Sequence, residues 1–177
     1  MIIGLAGVAR SGKDSFFNFC QNTKVNGKTN LRFAFADELK SELDQFILKE
    51  FNISSFTECS REKEIIRPIL VSYGMAKRKI SEGKYWVEKV KSKIEFIKDS
   101  HNCFITDVRF SNEVDQIKKL GGICIHIERF NNPPANEEEK NEDPIVKSKS
   151  DYHFKWGDFS QNTSPSEIAI NFLKEKL

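Results

Sequence analysis

An α/β fold with three layers, a parallel sheet carrying helices on both faces, is what this sequence predicts. Apolar runs of strand length alternate with helix-period segments from the first residue onward. The first run, residues 1–6, leads straight into Gly7-Val8-Ala9-Arg10-Ser11-Gly12-Lys13-Asp14-Ser15, a glycine-bounded turn that opens a helix. Two later runs end in an acid, Asp37 and Asp107, and the carboxyl ends of strands are where open parallel sheets hold their ligands.

The elements follow in order. Phe16, Phe17, Phe19 and Cys20 recur at helical spacing and place a first helix over residues 13–22. After a polar turn, residues 31–36 read as a second strand delivering Asp37, or else Asp37 caps the helix whose apolar face is Leu39, Leu43, Phe46 and Ile47. Residues 59–81 form a further helical region with Ile65, Ile66, Ile69 and Leu70 as its stripe, and Pro68 predicts a kink or a fresh start. Trp86, Val87, Val90, Ile94 and Ile97 describe a helix ending near Ser100, and residues 103–107 a buried strand. A helix over 112–120 is stopped by Gly121-Gly122, and a strand over 123–128 places His126 and Glu128 on one face, where they read as structural or solvent-facing. Residues 130–150 lack periodicity and read as a long loop or lid, with Glu137-Glu138-Glu139 a solvated charge run. Residues 151–156 alternate as a last strand. Ser164-Pro165-Ser166-Glu167 opens the final helix as a capping box.

Composition bounds the function. At 177 residues, 38% hydrophobic and 31% charged, the chain suits one domain (residues 1–177), with a helical insertion at about 38–100 and the loop or lid at about 130–150. The net charge of +2 argues against a nucleic-acid polymer or a membrane surface as partner, so any anion site is local. No run is long enough to span a bilayer, and the apolar start carries no basic leader, which predicts a cytoplasmic location. Cys20, Cys59, Cys103 and Cys124 lack metal or redox spacing and read as reduced thiols.

The chemistry sits in the first turn. Backbone N–H groups of a glycine-bounded loop converge on phosphate oxygens, the helix dipole points at the same place, and Lys13 adds a cation. Asp14 stands where a Ser or Thr usually follows the lysine, and the hydroxyl is displaced to Ser15. Asp107 is the candidate for holding Mg²⁺ beside nucleotide phosphates. Arg61, Arg67 and Arg78 carry the planar fork that suits an anionic acceptor. Trp86 reads either as core or as a stacking platform for a base. Together these features define a nucleoside triphosphate and Mg²⁺ site serving a small kinase, with a slowly hydrolysing regulatory module as the competing class.

The sequence from Gly4 to Ser15, Phe-Ala-Asp-Glu-Leu-Lys from Phe35 to Lys40, the series Arg67, Gly74, Arg78, Trp86, and Ile-Thr-Asp-Val-Arg-Phe-Ser-Asn-Glu from Ile105 to Glu113, followed by Gly121-Gly122 and Arg129, resemble the bacteriophage-type deoxynucleoside monophosphate kinases. The resemblance covers residues 1–129 and, more loosely, 151–156. It implies a P-loop, nucleoside-monophosphate-kinase-like fold and ATP- and Mg²⁺-dependent conversion of a deoxynucleoside monophosphate to the diphosphate, in the host cytoplasm if the protein is phage-encoded. It implies that Ala9, Arg10, Ser11, Gly12, Lys13, Asp14 and Ser15 bind the ATP phosphates, with Ser15 and Asp107 toward the metal. Asp37, Lys40, Arg67, Gly74, Arg78, Trp86 and Asp107 fall on the acceptor side, and Lys13, Asp37, Arg109 and Arg129 act in transfer. A homodimer is compatible with it. The chain departs from many relatives in lacking a carboxy-terminal His-x-Ser-Glu-like segment. Dephospho-coenzyme A kinase and phosphomevalonate kinase share the loop chemistry and stand as alternatives.

Overall fold

The computed structural model describes residues 1–157 and 164–177, which divide into two compact units, Met1–Phe33 with Ile94–Leu177, and Ala34–Lys93. The first unit holds the sheet. Its strands are β1 (Ile2–Ala6), β2 (Thr29–Phe33), β3 (His101–Val108), β4 (Ile123–Glu128) and β5 (Tyr152–Lys155). All pairings are parallel, in the order β2-β3-β1-β4-β5. β1 is therefore central, buried at every position, as its unbroken apolar run requires.

Helices cover both faces, as the sequence predicts. On one face, Phe16, Phe17 and Cys20 of α1 (Lys13–Cys20) and Ala169 and Leu173 of the final helix (Pro165–Lys176) share a buried cluster with Ile3, Leu5, Phe104, Ile125, Ile127 and Phe154. On the other, Gly4 lies so close to the helix Ser111–Lys119 that a Cβ there would stand 2.7 Å from Ile117 Cδ1. Alternation along β1 thus sends Ile3 and Leu5 to one layer and Gly4 to the other.

Beside the sheet's β2 edge, two buried asparagines bind the 20–30 turn. Asn102 Nδ2 on β3 donates to Val25 O at 2.9 Å and to Asn30 Oδ1 at 3.0 Å, while Asn30 Nδ2 on β2 donates to Cys20 O at 2.8 Å and Thr23 O at 2.7 Å.

The second unit is helical. It contains α2 (Phe35–Phe51), α3 (Ser60–Ile80) and most of α4 (Tyr85–Glu95). Pro68 neither stops nor divides α3, which runs through it as one helix. Leu43, Ile47 and Ile66 form its apolar cluster. Beside them Glu42 accepts hydrogen bonds from the Tyr73 hydroxyl, from the Tyr85 hydroxyl at 2.8 Å and from the Lys89 ammonium, with Lys77 Nζ at 3.4 Å. Burial would raise the Glu42 carboxyl, but the donors Lys89, Tyr73 and Tyr85 hold it down to about 2.

Two expectations are corrected here. β2 ends at Phe33 and the chain is helical from Phe35, so Asp37 lies in the first turn of α2 rather than at a strand end; Ala34, not Asp37, is the N-cap. The cause is visible in the spacing Phe35, Leu39, Leu43, Ile47, a helical stripe that begins two residues before the acid. The stretch read as a loop or lid contains α6 (Glu137–Lys149), with the helices Ser111–Lys119 and Pro165–Lys176 as α5 and α7. Val146 is fully buried, and α6 packs on α5 and β4. Lys149 Nζ also bridges to Asp115 of α5 at 2.6 Å, and Lys147 pairs with Glu128. His126, one of the two candidates read as structural or solvent-facing, is buried and bonded through Nε2 to Asp143 of α6 at 2.9 Å.

Among the described residues the cysteines are free, and Cys20, Cys103 and Cys124 are buried while Cys59 is exposed. None of the described helices is long and apolar enough to cross a membrane.

Candidate functional site

The loop between β1 and α1 is shaped by its glycines. Gly7 takes φ 130° and Gly12 takes φ 93°, both in the region that favours glycine. A Cβ on Gly7 would lie 2.5 Å from Ile127 O, and one on Gly12 would lie 2.4 Å from Trp156 Nε1. Gly12 is thus required by its backbone and by the indole packed against it. Between them Arg10 adopts φ 62° and is exposed.

Lys13, the first residue of α1, folds back over the loop instead of reaching into solvent. Its Nζ donates to Gly7 O at 2.6 Å and Val8 O at 2.7 Å, with Ser11 Oγ at 3.4 Å. Burial pushes its ammonium down to about 8; the Arg109 charge adds to this, and Asp107, Glu139 and Asp14 oppose it. Those charged groups come from four places: Arg109 just past β3, Asp107 near its end, Glu139 on α6 and Asp14 on the first turn of α1.

Asp107 is half-buried near the end of β3, and Arg109 follows that strand. Arg109 is held from two sides. Glu113, buried in the first turn of α5, accepts the backbone N–H of Arg109 at 2.9 Å and of Phe110 at 3.1 Å. Glu139, buried on α6, accepts Arg109 Nη1 at 2.9 Å. The same Glu139 carboxylate accepts the Ala9 N–H of the loop at 3.1 Å and the Ala135 N–H at 3.0 Å. Asn132 Nδ2 donates to Ala9 O at 2.9 Å.

The structure therefore gathers Lys13, Ser11, Asp107 and Arg109 in the sheet-bearing unit. Asp14 and Ser15 are exposed on the first turn of α1, and Asp14 Oδ1 lies 3.7 Å from Arg32 Nε. Arg129 is exposed just past β4. Asp37, Lys40, Arg67, Gly74, Arg78 and Trp86 belong to the helical unit. There Arg67 is exposed and Arg78 half-buried on α3, and Lys40 Nζ sits 5.6 Å from the Phe56 ring centroid. Trp86 is 7% exposed, its Nε1 donating to Gly74 O at 3.2 Å and its ring meeting Tyr85 edge-on, which leaves little ring face for a base.

Sequence reasoning passed over Glu139 and Asn132. Glu139, expected in solvent with Glu137 and Glu138, is the one buried member of that run. A signal existed: Asn136 precedes it by the three residues of a capping box, and the Asn136 side chain accepts the Glu139 N–H at 2.8 Å.

No family model matches this sequence, and no curated protein matches it significantly. Among solved structures the chain is similar to a shikimate kinase from Acinetobacter baumannii in complex with shikimate, with a TM-score of 0.44 and 11% identity over 98% of this chain and 89% of that one. A likeness so distant speaks to neither activity nor substrate.

Proposed function

We propose that this chain is an ATP- and Mg²⁺-dependent phosphotransferase that phosphorylates a small anionic acceptor, a deoxynucleoside monophosphate. One observation carries the reading: a buried lysine at a helix N-terminus, pinned to the carbonyls of a glycine-bounded loop whose Ala9 N–H shares the Glu139 carboxylate with Arg109. Such an arrangement has few uses other than binding phosphate and offsetting the charge that develops on it.

The residues divide the work. Loop N–H groups and the dipole of α1 bind the donor phosphates, and Lys13 neutralises the oxygens of the transferred group. Arg109 supplies a second cation there. Asp107 and the Ser15 hydroxyl offer hard oxygen donors that fit Mg²⁺, while among the described residues no cluster of three His, Cys, Asp or Glu could hold a metal. When bound, the ion would neutralise phosphate charge and align the chain of the triphosphate. The monophosphate acceptor is assigned from the resemblance, with Asp37, Lys40, Arg67 and Arg78 as its residues.

ADP release, followed by a coupled assay with ATP and Mg²⁺ against deoxynucleoside monophosphates, ribonucleoside monophosphates and dephospho-coenzyme A, tests this. Acceptor-dependent release with one or more deoxynucleoside monophosphates is expected. Release only with dephospho-coenzyme A would replace the acceptor, and none with any acceptor would overturn the kinase reading.

A further inference from the structure

We propose that Glu139 is a positioning residue of the donor site, fixing both the crest of the phosphate loop and the guanidinium of Arg109. The proposal rests on the kinase reading for its catalytic consequence, but its structural half stands on contacts alone.

A carboxylate that is 7% exposed needs compensation. Glu139 finds it in three donors: Arg109 Nη1 at 2.9 Å, Ala9 N–H at 3.1 Å and Ala135 N–H at 3.0 Å. These come from three separate stretches, the strand end after β3, the loop after β1 and the approach to α6. Asn132 closes the grip by donating to the carbonyl of the same Ala9 residue, so both backbone polar groups of Ala9 are held by residues 132–139. The loop crest follows Val8, whose carbonyl accepts from Lys13. Moving Ala9 therefore also disturbs the lysine's seat.

An arginine has five N–H donors in a planar fork. A buried carboxylate gripping one end of that fork fixes the direction in which the plane is offered, which a solvated partner would not. The α6 backbone fixes the carboxylate in turn: Asn136 caps the helix through the Glu139 N–H, and Val146 and Lys149 anchor its far half. Glu137 and Glu138, exposed on the same turn, serve as internal controls.

Glu139→Gln keeps size and one acceptor oxygen while removing the charge. In hydrogen exchange of the protein without nucleotide, the substitution is expected to raise exchange of a peptide covering 7–12 by about tenfold, with β1 and β3 unchanged. Glu138→Gln is expected to change neither. In the kinase assay kcat is expected to fall by about tenfold or more with the ATP KM altered less than about threefold, because transition-state charge and not ground-state binding is affected. In an Arg109→Ala background the same substitution is expected to cost less in kcat than in the wild type, because only the loop contact remains to be lost.

Unchanged exchange in the loop overturns the proposal. So does a lowered ATP KM with kcat intact, which would make the carboxylate a competitor of the phosphates, and so do additive effects of the two substitutions. A wild-type protein that releases no ADP while its loop loosens in Glu139→Gln overturns the kinase reading instead and leaves the loop contact established.

Discussion

The sheet-bearing unit and the helical unit Ala34–Lys93 bury their chains by different means. In the first, Phe16, Phe154, Trp156 and Phe172 meet edge to face at 4.8–6.4 Å over a layer of fully buried Ile and Leu. Its buried Lys13 and Asn30 donate to backbone carbonyls, and its buried Glu139 pairs with Arg109. In the second, the apolar cluster is small and Phe46, Phe51, Phe56, Ile65, Val71 and Ile80 are exposed, while Glu42 gathers Tyr73, Tyr85, Lys77 and Lys89 from two other helices. The contrast teaches that one unit is held by apolar burial, whereas the helical unit depends on a polar knot. A unit so held opens at lower free energy than one with a dry core.

The largest effect expected on that contrast is chemical. On the proposed kinase reading, Lys13→Ala should lower turnover on the order of 10²–10³-fold, since it would remove charge stabilisation aimed at the transferring group. Steady-state kinetics check this, and the thermal transition should show the sheet still folded.

Next comes the pH dependence of Lys13. Its folded ammonium titrates at about 8, below the usual 10.5, so between those values the unfolded chain binds more protons than the folded one. Stability therefore rises with pH through that window, by on the order of 3 kcal/mol if the whole shift is expressed. Urea unfolding at pH 7 and pH 10.5, compared with Lys13→Met, should show the increment in the wild type alone. An equal increment in both would break the assignment of a buried cation.

Gly12→Ala is expected to cost about 2 kcal/mol or more, from the left-handed backbone and the approach of Trp156. Denaturant unfolding measures it, and the loss should fall on the sheet-bearing unit. The smallest effect belongs to the knot. The Glu42 carboxyl titrates at about 2, below its usual 4.5, so its stabilisation is complete above 4.5 and is lost as pH falls toward 2. Glu42→Gln should abolish that acid loss and raise hydrogen exchange in α2 and α4 while leaving the sheet protected.

The first unit was the more readable of the two. Its strands are apolar runs and its loop is a local motif, so the glycines, Lys13 and the order of elements could be read from adjacent residues. Asp37 was misplaced because residues 31–36 alternate like a strand while Phe35 already starts a helical stripe. α6 was missed because its sequence is charged, contains Pro144, and buries itself through Val146 and Glu139 against elements far away in sequence. The motif around Arg109 is local in sequence, but what holds its guanidinium is not, since the Glu139 contact spans thirty residues and depends on where α6 lands.

The asparagine pair between β2 and β3 bears on the order in which the chain can assemble as it is made. β2 is synthesised directly after β1 and α1, yet its neighbour in the sheet is β3, with β1 on the far side. The whole of Ala34–Lys93 is made before that neighbour exists, an interval of seconds at ordinary translation rates. Asn30 Nδ2 is held within the 20–30 turn by Cys20 O and Thr23 O, while its Oδ1 accepts from Asn102, which arrives only with β3. In-register pairing with the late strand supplies the one donor that the Asn30 carbonyl oxygen needs, and the apolar early strand has none to offer.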